Sequence, residues 1–223
     1  TVDALRSMPI FESLSVERRV PIARVAVFRK MPRSSTILRA GDRTDFVYFI
    51  LSGALKVLVS DEEGREVILS NLGPGEFFGE MGLISGRRRS ATVIAQSNCL
   101  LIETPRRSMN RLIQSVEAVK REVDKVFIAR ALQSRVTPES GIEKLREMVG
   151  SAEIRQYKAG ELLFKEGEAG DCLHLVRRGS LTISREIGGK EIVLSYVPAG
   201  SYVGEMALLG ESKRSASAKA AIA

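Results

Sequence analysis

One block of this sequence occurs twice. Residues 78–93 read F-G-E-M-G-L-I-S-G-R-R-R-S-A-T-V, and residues 203–219 read V-G-E-M-A-L-L-G-E-S-K-R-S-A-S-A-K. In each copy a Gly-Glu-Met is followed, nine positions after the Glu, by Arg-Ser-Ala, and the acid and the arginine both recur at an offset of 125 residues. A whole constellation repeated over that distance argues for a duplicated structural unit. The 223 residues have room for two modest domains of this kind.

The residue types in the block suit one class of ligand. Glu80 and Glu205 follow Gly79 and Gly204, where the missing side chain lets a ligand approach the backbone. A carboxylate only accepts hydrogen bonds and can take one from a sugar hydroxyl, whereas Arg89 and Arg214 offer planar donor forks for a phosphate. The segments that Met81 and Met206 open are short enough for one helical turn, whose free N–H groups favour an anion. Together these features fit a small phosphorylated ribose. A Gly-Glu turn and a solvated arginine would explain one copy; two matched copies argue against that explanation.

The pattern resembles the phosphate-binding cassette of the cyclic-nucleotide-binding domain family. The resemblance implies that Glu80 and Glu205 take the ribose 2′-hydroxyl and that Arg89 and Arg214 pair with the cyclic phosphate. It also implies that the hydroxyls of Ser90 and Ser215 and the backbone N–H groups of Ala91 and Ala216 reach that phosphate. The implied ligand set is therefore Gly79, Glu80, Met81, Arg89, Ser90 and Ala91, with Gly204, Glu205, Met206, Arg214, Ser215 and Ala216 in the second copy. Both arginines precede a Ser, as in bacterial cAMP-binding activators, which implies cAMP in preference to cGMP. Phe127 and Ser134 are candidates for contacts to the base.

Read in order, the chain opens with helical spacing over 1–28, where Leu5, Met8, Phe11 and Leu14 recur and Ser15 stands as an N-cap. Pro21 should kink or delay that helix. From Arg29 the apolar period changes to alternation, with short strands at 37–38, 46–51, 55–59, 67–69, 92–95 and 99–102. Turn signals at 40–42, 52–53, 61–64 and 73–75 separate them. Strands so spaced suggest a small antiparallel sandwich or barrel, and they resemble the family's eight-stranded β-roll. Ser34 departs from the repeat, since the second copy has Gly160 there.

Pro105 opens a helical stretch in which Met109, Leu112 and Ile113 form one apolar stripe and Val116, Val119, Val123, Val126 and Phe127 form the next, which continues to about Leu132, with Glu117 and Arg121 as a supporting i,i+4 pair. Thr137-Pro138-Glu139 reads as the start of a further helix, which Gly150 stops. The fold expected is mainly β with flanking helices: two antiparallel, jelly-roll-like β-roll cyclic-nucleotide-binding domains joined by a helical connector, the second truncated. The domains are 1–115, a connector and lead-in helix over 116–150, and 151–223. Ala223 corresponds to Asn98, just before the first copy's closing strand. The chain is therefore expected to be a piece of something longer, with a second site weaker than the first.

Other chemistry finds little support. The net charge of +7 lies mostly in residues 1–140, with 22 Lys+Arg against 16 Asp+Glu, but the basic residues are scattered and read as a solvated face. Cys99 and Cys172 are too few for a disulfide framework, and a reducing cytosol is the expected setting. Cys172 and His174 share a strand face but lack partners for a metal, and their counterparts Phe46 and Tyr48 suggest packing. No nucleophile elbow, Walker loop or metal-ligand cluster points to an enzyme. No metal or cofactor is expected besides the cyclic nucleotide, no run is long enough to span a membrane, and no secretory signal is read. The expected role is a regulatory sensor, as in regulatory subunits of cAMP-dependent kinases, acting on an effector outside this chain. The alternatives are a transcription regulator of the catabolite-activator type, although no DNA-binding motif follows the connector, and a structural module without ligand.

Overall fold

The structure, a computed structural model, describes residues 2–43, 45–61, 63–133, 149–204 and 213–222. Alternating apolar residues in the first half build two four-stranded antiparallel sheets. One has the order β1 (Val27–Met31), β8 (Cys99–Pro105), β3 (Phe46–Ser52), β6 (Phe77–Phe78), and the other β2 (Thr36–Leu38), β7 (Thr92–Ala95), β4 (Leu55–Ser60), β5 (Glu66–Leu72). The period of two sends Tyr48 and Ile50 of β3 into the space between the sheets, where they meet Leu38, Leu55, Leu72 and Val93 of the other sheet. Phe49 points the opposite way, its ring 4.9 Å from Phe11 and 5.8 Å from Phe77. One strand thus serves two cores. Each large apolar side chain fully buried here stabilises the fold by about 1.5–3 kcal/mol.

The layer that Phe49 meets is helical: α1 (Val2–Arg6), a 3-10 turn (Pro9–Phe11), α2 (Val16–Val25), α4 (Arg106–Ser115) and α5 (Glu117–Gln133), with α3 (Glu80–Ser85) inside the repeated block. Ser15 occupies the N-cap of α2, though its hydroxyl donates to the Glu17 carboxylate instead of capping an amide. Pro21 is accommodated within α2, which ends at Val25, so the chain expected to stay helical to residue 28 is already extended at Val27. The one helical stretch expected from Pro105 is two helices, each carrying one of its two stripes, parted at Val116, whose backbone is extended at φ −135°, ψ 103°. Val119, Val123, Phe127 and Ala131 then form a fully buried face of α5, and Glu117 pairs with Arg121 at 3.5 Å.

The chain divides into two units, Thr1–Ser140 and Gly141–Ala223. In the second, β9 (Leu162–Phe164), β10 (His174–Leu175), β11 (Ser180–Ile187), β12 (Lys190–Pro198), β13 (Tyr202–Val203) and β14 (Ser217–Ile222) form sheets of order β12-β11-β14-β9 and β10-β13. These match the β5-β4-β7-β2 and β3-β6 arrangements of the first unit strand for strand. Phe164, Val176, Leu181, Val203 and Ala218 make the second core. The helix expected from Thr137 lies, over 137–148, outside the described residues.

The repeat holds at the level of single backbone bonds. The amides of Ser34 and Gly160 donate to the carbonyls of Ala95 and Ala220 at 2.8 and 2.7 Å. Both residues are left-handed, at φ 69° and 81°, so Ser34 adopts a conformation that suits the glycine of the other copy.

Candidate functional site

Each repeated block is pinned by its arginine. The Arg89 amide donates to the Asp42 carbonyl at 2.9 Å while its carbonyl accepts from the Gly41 amide at 2.8 Å; Arg214 makes the same pair with Glu168 and Gly167 at 2.7 and 2.8 Å. The side chains repeat as well. Arg89 donates from Nη1 to the Gly79 carbonyl at 2.8 Å and from Nη2 to the Phe46 carbonyl at 2.5 Å. Arg214 donates to the Gly204 and Cys172 carbonyls at 3.2 and 2.9 Å. Both guanidinium groups are buried. Burial holds Arg89 below its ordinary value, opposed by Tyr48 and Glu80, but an arginine keeps its charge across the working pH range. Two buried cations, each donating to two backbone carbonyls, are strong attractors for an anion.

Gly79, the N-cap of α3, has φ 95°, and a Cβ there would lie 2.6 Å from Arg89 Nη1. The same holds at Gly204, where a Cβ would collide with Arg214 Nη1. In this structure the space beside each glycine is filled by the arginine of its own block, a requirement as strict as close approach by a ligand.

Glu80, the first residue of α3, is 1% exposed. Its Oε2 lies 2.7 Å from Nη1 of Arg130 on α5, near enough for an ion pair. The pair is off the line of a hydrogen bond, and among the described residues neither Glu80 oxygen receives one. A buried carboxylate with open acceptor positions is rare and calls for an explanation; a ligand hydroxyl would supply one. Arg130, which also lies 5.9 Å above the Phe77 ring, was not foreseen. Its signal was present, because Val123, Phe127 and Arg130 follow helical spacing along the apolar stripe of α5.

Around the pair, Tyr48 stacks on Phe78 at 5.0 Å, and burial, then the Glu103 carboxylate, pushes its phenol up to about 12. Glu103 is itself held by a two-pronged bond from Arg29 at 3.0 and 3.2 Å. Ser90 is exposed and Ala91 half-buried beside Arg89, while Met81 lies within α3. Phe127 is 1% exposed, so it packs the core in this structure; Ser134 lies outside the described residues.

In the second unit Gly204, Arg214, Ser215 and Ala216 line one open cavity of ≈ 210 Å³, with Phe164 and Val197 among its apolar walls. The Phe164 ring lies 4.4 Å from the Arg214 guanidinium carbon. Glu205 and Met206 lie outside the described residues. Among the described residues no group of three potential metal ligands occurs, and no helix is long and apolar enough to cross a membrane.

The family model of the cyclic nucleotide-binding domain matches residues 28–116 and again 154–222. The chain belongs to the cyclic nucleotide-binding domain family. Within that family it is 26% identical over 221 residues to the cAMP-dependent protein kinase type II regulatory subunit of Drosophila melanogaster, covering 97% of this chain and 55% of that protein. It is 42% identical over 86 residues to the cAMP-activated global transcriptional regulator of Pasteurella multocida, covering 38% of this chain and 41% of that protein. Among solved structures of the family, the regulatory domain of Toxoplasma gondii PKA with cAMP aligns over 98% of this chain and 83% of its own, at 26% identity and a TM-score of 0.50. The chain spans about half the length of the curated relatives it matches.

Proposed function

We propose that the chain is a tandem sensor that binds cyclic purine mononucleotides, cAMP in preference to cGMP, and regulates an effector outside itself without turning the nucleotide over. The observation that carries this reading is Glu80, a buried carboxylate with open acceptor positions, next to the buried cation Arg89. That pairing suits a ligand with a hydroxyl donor and an anionic group a few ångströms apart. Support for cAMP comes from relatives that are named for it, a kinase regulatory subunit over nearly the whole chain and a transcriptional regulator over the shorter match. The whole-chain match favours the kinase-regulator model of action. Ser90 and Ser215, after the two arginines, fit the same base preference.

Arg130 gives the sensor a moving part. A hydroxyl that reaches Glu80 must share the carboxylate with Arg130 or displace it, and either outcome changes what holds α5 to α3. Ligand shifts such an element only to the extent that it binds its two positions with different affinity.

Calorimetric titration with cAMP, cGMP and linear AMP tests the reading, with linear AMP expected weakest because of its extra charge. Glu80→Ala should weaken cAMP far more than its 2′-deoxy analogue. If folded, ligand-free protein bound no cyclic nucleotide, the proposal would be wrong; equal losses for the two analogues would remove Glu80 from ribose recognition.

A further inference from the structure

Two side chains of the second unit, Cys172 and His174, meet Arg214 from outside the lining of its cavity. Cys172 Sγ lies 3.5 Å from His174 Nε2 and 3.5 Å from Arg214 Nη2, and His174 Nε2 lies 3.5 Å from the same Nη2. Cys172 is exposed, whereas Cys99 is buried. The corresponding residue of the first unit, Phe46, stays 36% exposed although β8 and β1 complete the sheet around it. Arg214 is only 5% exposed, and its Nε has no hydrogen-bond partner among the described residues. The first unit has no such cluster, because Phe46 and Tyr48 stand in place of Cys172 and His174.

The charged groups facing His174 are Arg214 and Arg155, which oppose its protonation, and Asp171, which favours it; burial, the largest influence, also holds the imidazole below its ordinary value. At neutral pH His174 is therefore a free base 3.5 Å from a thiol, and a fixed guanidinium stands ready for negative charge on the sulfur. A thiol beside a base and a cation is the arrangement that activates cysteines.

We propose that Cys172 is a modification site: a thiol that His174 and Arg214 activate toward hydroperoxides, and whose oxidised form competes with bound phosphate for Arg214. The second half of this proposal rests on the cyclic-nucleotide reading of the second cassette. His174 Nε2 takes the thiol proton, and the thiolate attacks one peroxide oxygen. The S–O bond forms as the O–O bond breaks, and the departing hydroxide or alkoxide takes the proton from the imidazolium to leave as water or alcohol. Sulfur loses two electrons, the peroxide gains them, and the product is the Cys172 sulfenic acid. Its new oxygen is an acceptor beside Arg214 Nη2, a donor now spent on the Cys172 carbonyl.

The test uses the full chain, limiting hydrogen peroxide, and a cyclic 1,3-diketone that traps sulfenic acids, with sites read by mass spectrometry. Labelling is expected at Cys172 and not at Cys99. Cys172→Ser should abolish it, and His174→Tyr, which copies the residue of the first unit, should slow it by about a hundredfold, the low side of what a positioned base contributes. In an Arg89→Ala chain, where the second cassette is read alone, oxidation should weaken cAMP by at least about tenfold, and adding Cys172→Ser should remove the response. Cys172 left unlabelled, or labelled equally fast in His174→Tyr, would overturn the reactive site. Unchanged affinity after full oxidation would overturn the competition. Absent cAMP binding before any oxidation would instead condemn the nucleotide reading of the second cassette, and labelling rates would still decide the thiol chemistry.

Discussion

Ser34 shows how much one backbone angle can reveal. Among the described residues it is the non-glycine residue with positive φ, at 69°, and Gly160 takes the same turn in the second unit. Left-handed backbone costs a side-chain-bearing residue about 1–2 kcal/mol, while a glycine gives back about 0.5–1 kcal/mol through the freer unfolded chain. Ser34→Gly should therefore stabilise the first unit by about 0.5–1 kcal/mol, and urea denaturation would show it. His174 makes a second prediction at this scale. Its protonation is disfavoured in the fold, so the unfolded chain takes up a proton first as pH falls through the ordinary value of 6.5. The contribution of His174 is complete above that pH and is lost as pH drops through the lower folded value. Melting temperature should begin to fall below about pH 6.5, and His174→Tyr should flatten that part of the profile. Glu166 and Glu191 are also held below their ordinary 4.5, so they act only in stronger acid. The acid and arginine of each block were legible because their residue types repeat. Their carbonyl partners were not: Phe46 and Cys172 share no side-chain chemistry, and what they have in common is a backbone oxygen that accepts from the arginine.

At the scale of elements, α5 is tied to α3 by the contact between Arg130 and Glu80. Arg130→Met leaves the Glu80 carboxylate buried without that ion pair, and a broken buried pair costs about 3–5 kcal/mol; with the Arg130 side chain 20% exposed, the low end applies. Glu80→Gln in the same chain should recover most of the loss, since it removes the stranded charge. Additive losses in this double-mutant cycle would show that the contact does not couple the two helices. Hydrogen exchange over 117–133 should also change when cAMP saturates the protein, and unchanged protection there would sink the idea that α5 responds to ligand. The strands around the block were readable from alternation, but β1 was not. Val27 and Phe28 are exposed, and the strand exists because Val27 through Met31 pair with Glu103 through Cys99, more than sixty residues away. The break at Val116 showed in the sequence only as a change of stripe, because helical spacing continues on both sides of it and no Gly or Pro marks it.

For the molecule as a whole, the duplication was the most legible feature, and the strand orders of the two units repeat it. If each unit carries one site, a two-site titration should drop to one site in Arg89→Ala and in Arg214→Ala alike. Each change should cost its own site about 3–5 kcal/mol, because a buried phosphate loses its partner, or roughly two to four decades of affinity. The tighter site is expected in the first unit, where α5 reaches the acid of the block through Arg130. If Arg214→Ala removed the tighter one, that ranking would be reversed.

The position of β8 between β1 and β3 has a consequence for how the first unit is made. The β4–β5 hairpin joins neighbours in sequence and can zip as soon as residue 72 is available. The sheet of β1 and β3 has no centre until residues 99–105 arrive, so closing the roll is a long-range event that must follow it. Pulse-labelling during refolding should find the amides of 55–72 protected before those of 27–31. During synthesis, a chain that has not yet reached Cys99 carries two strand edges side by side with nothing between them. That interval is when a nascent first unit is most open to pairing with the wrong neighbour.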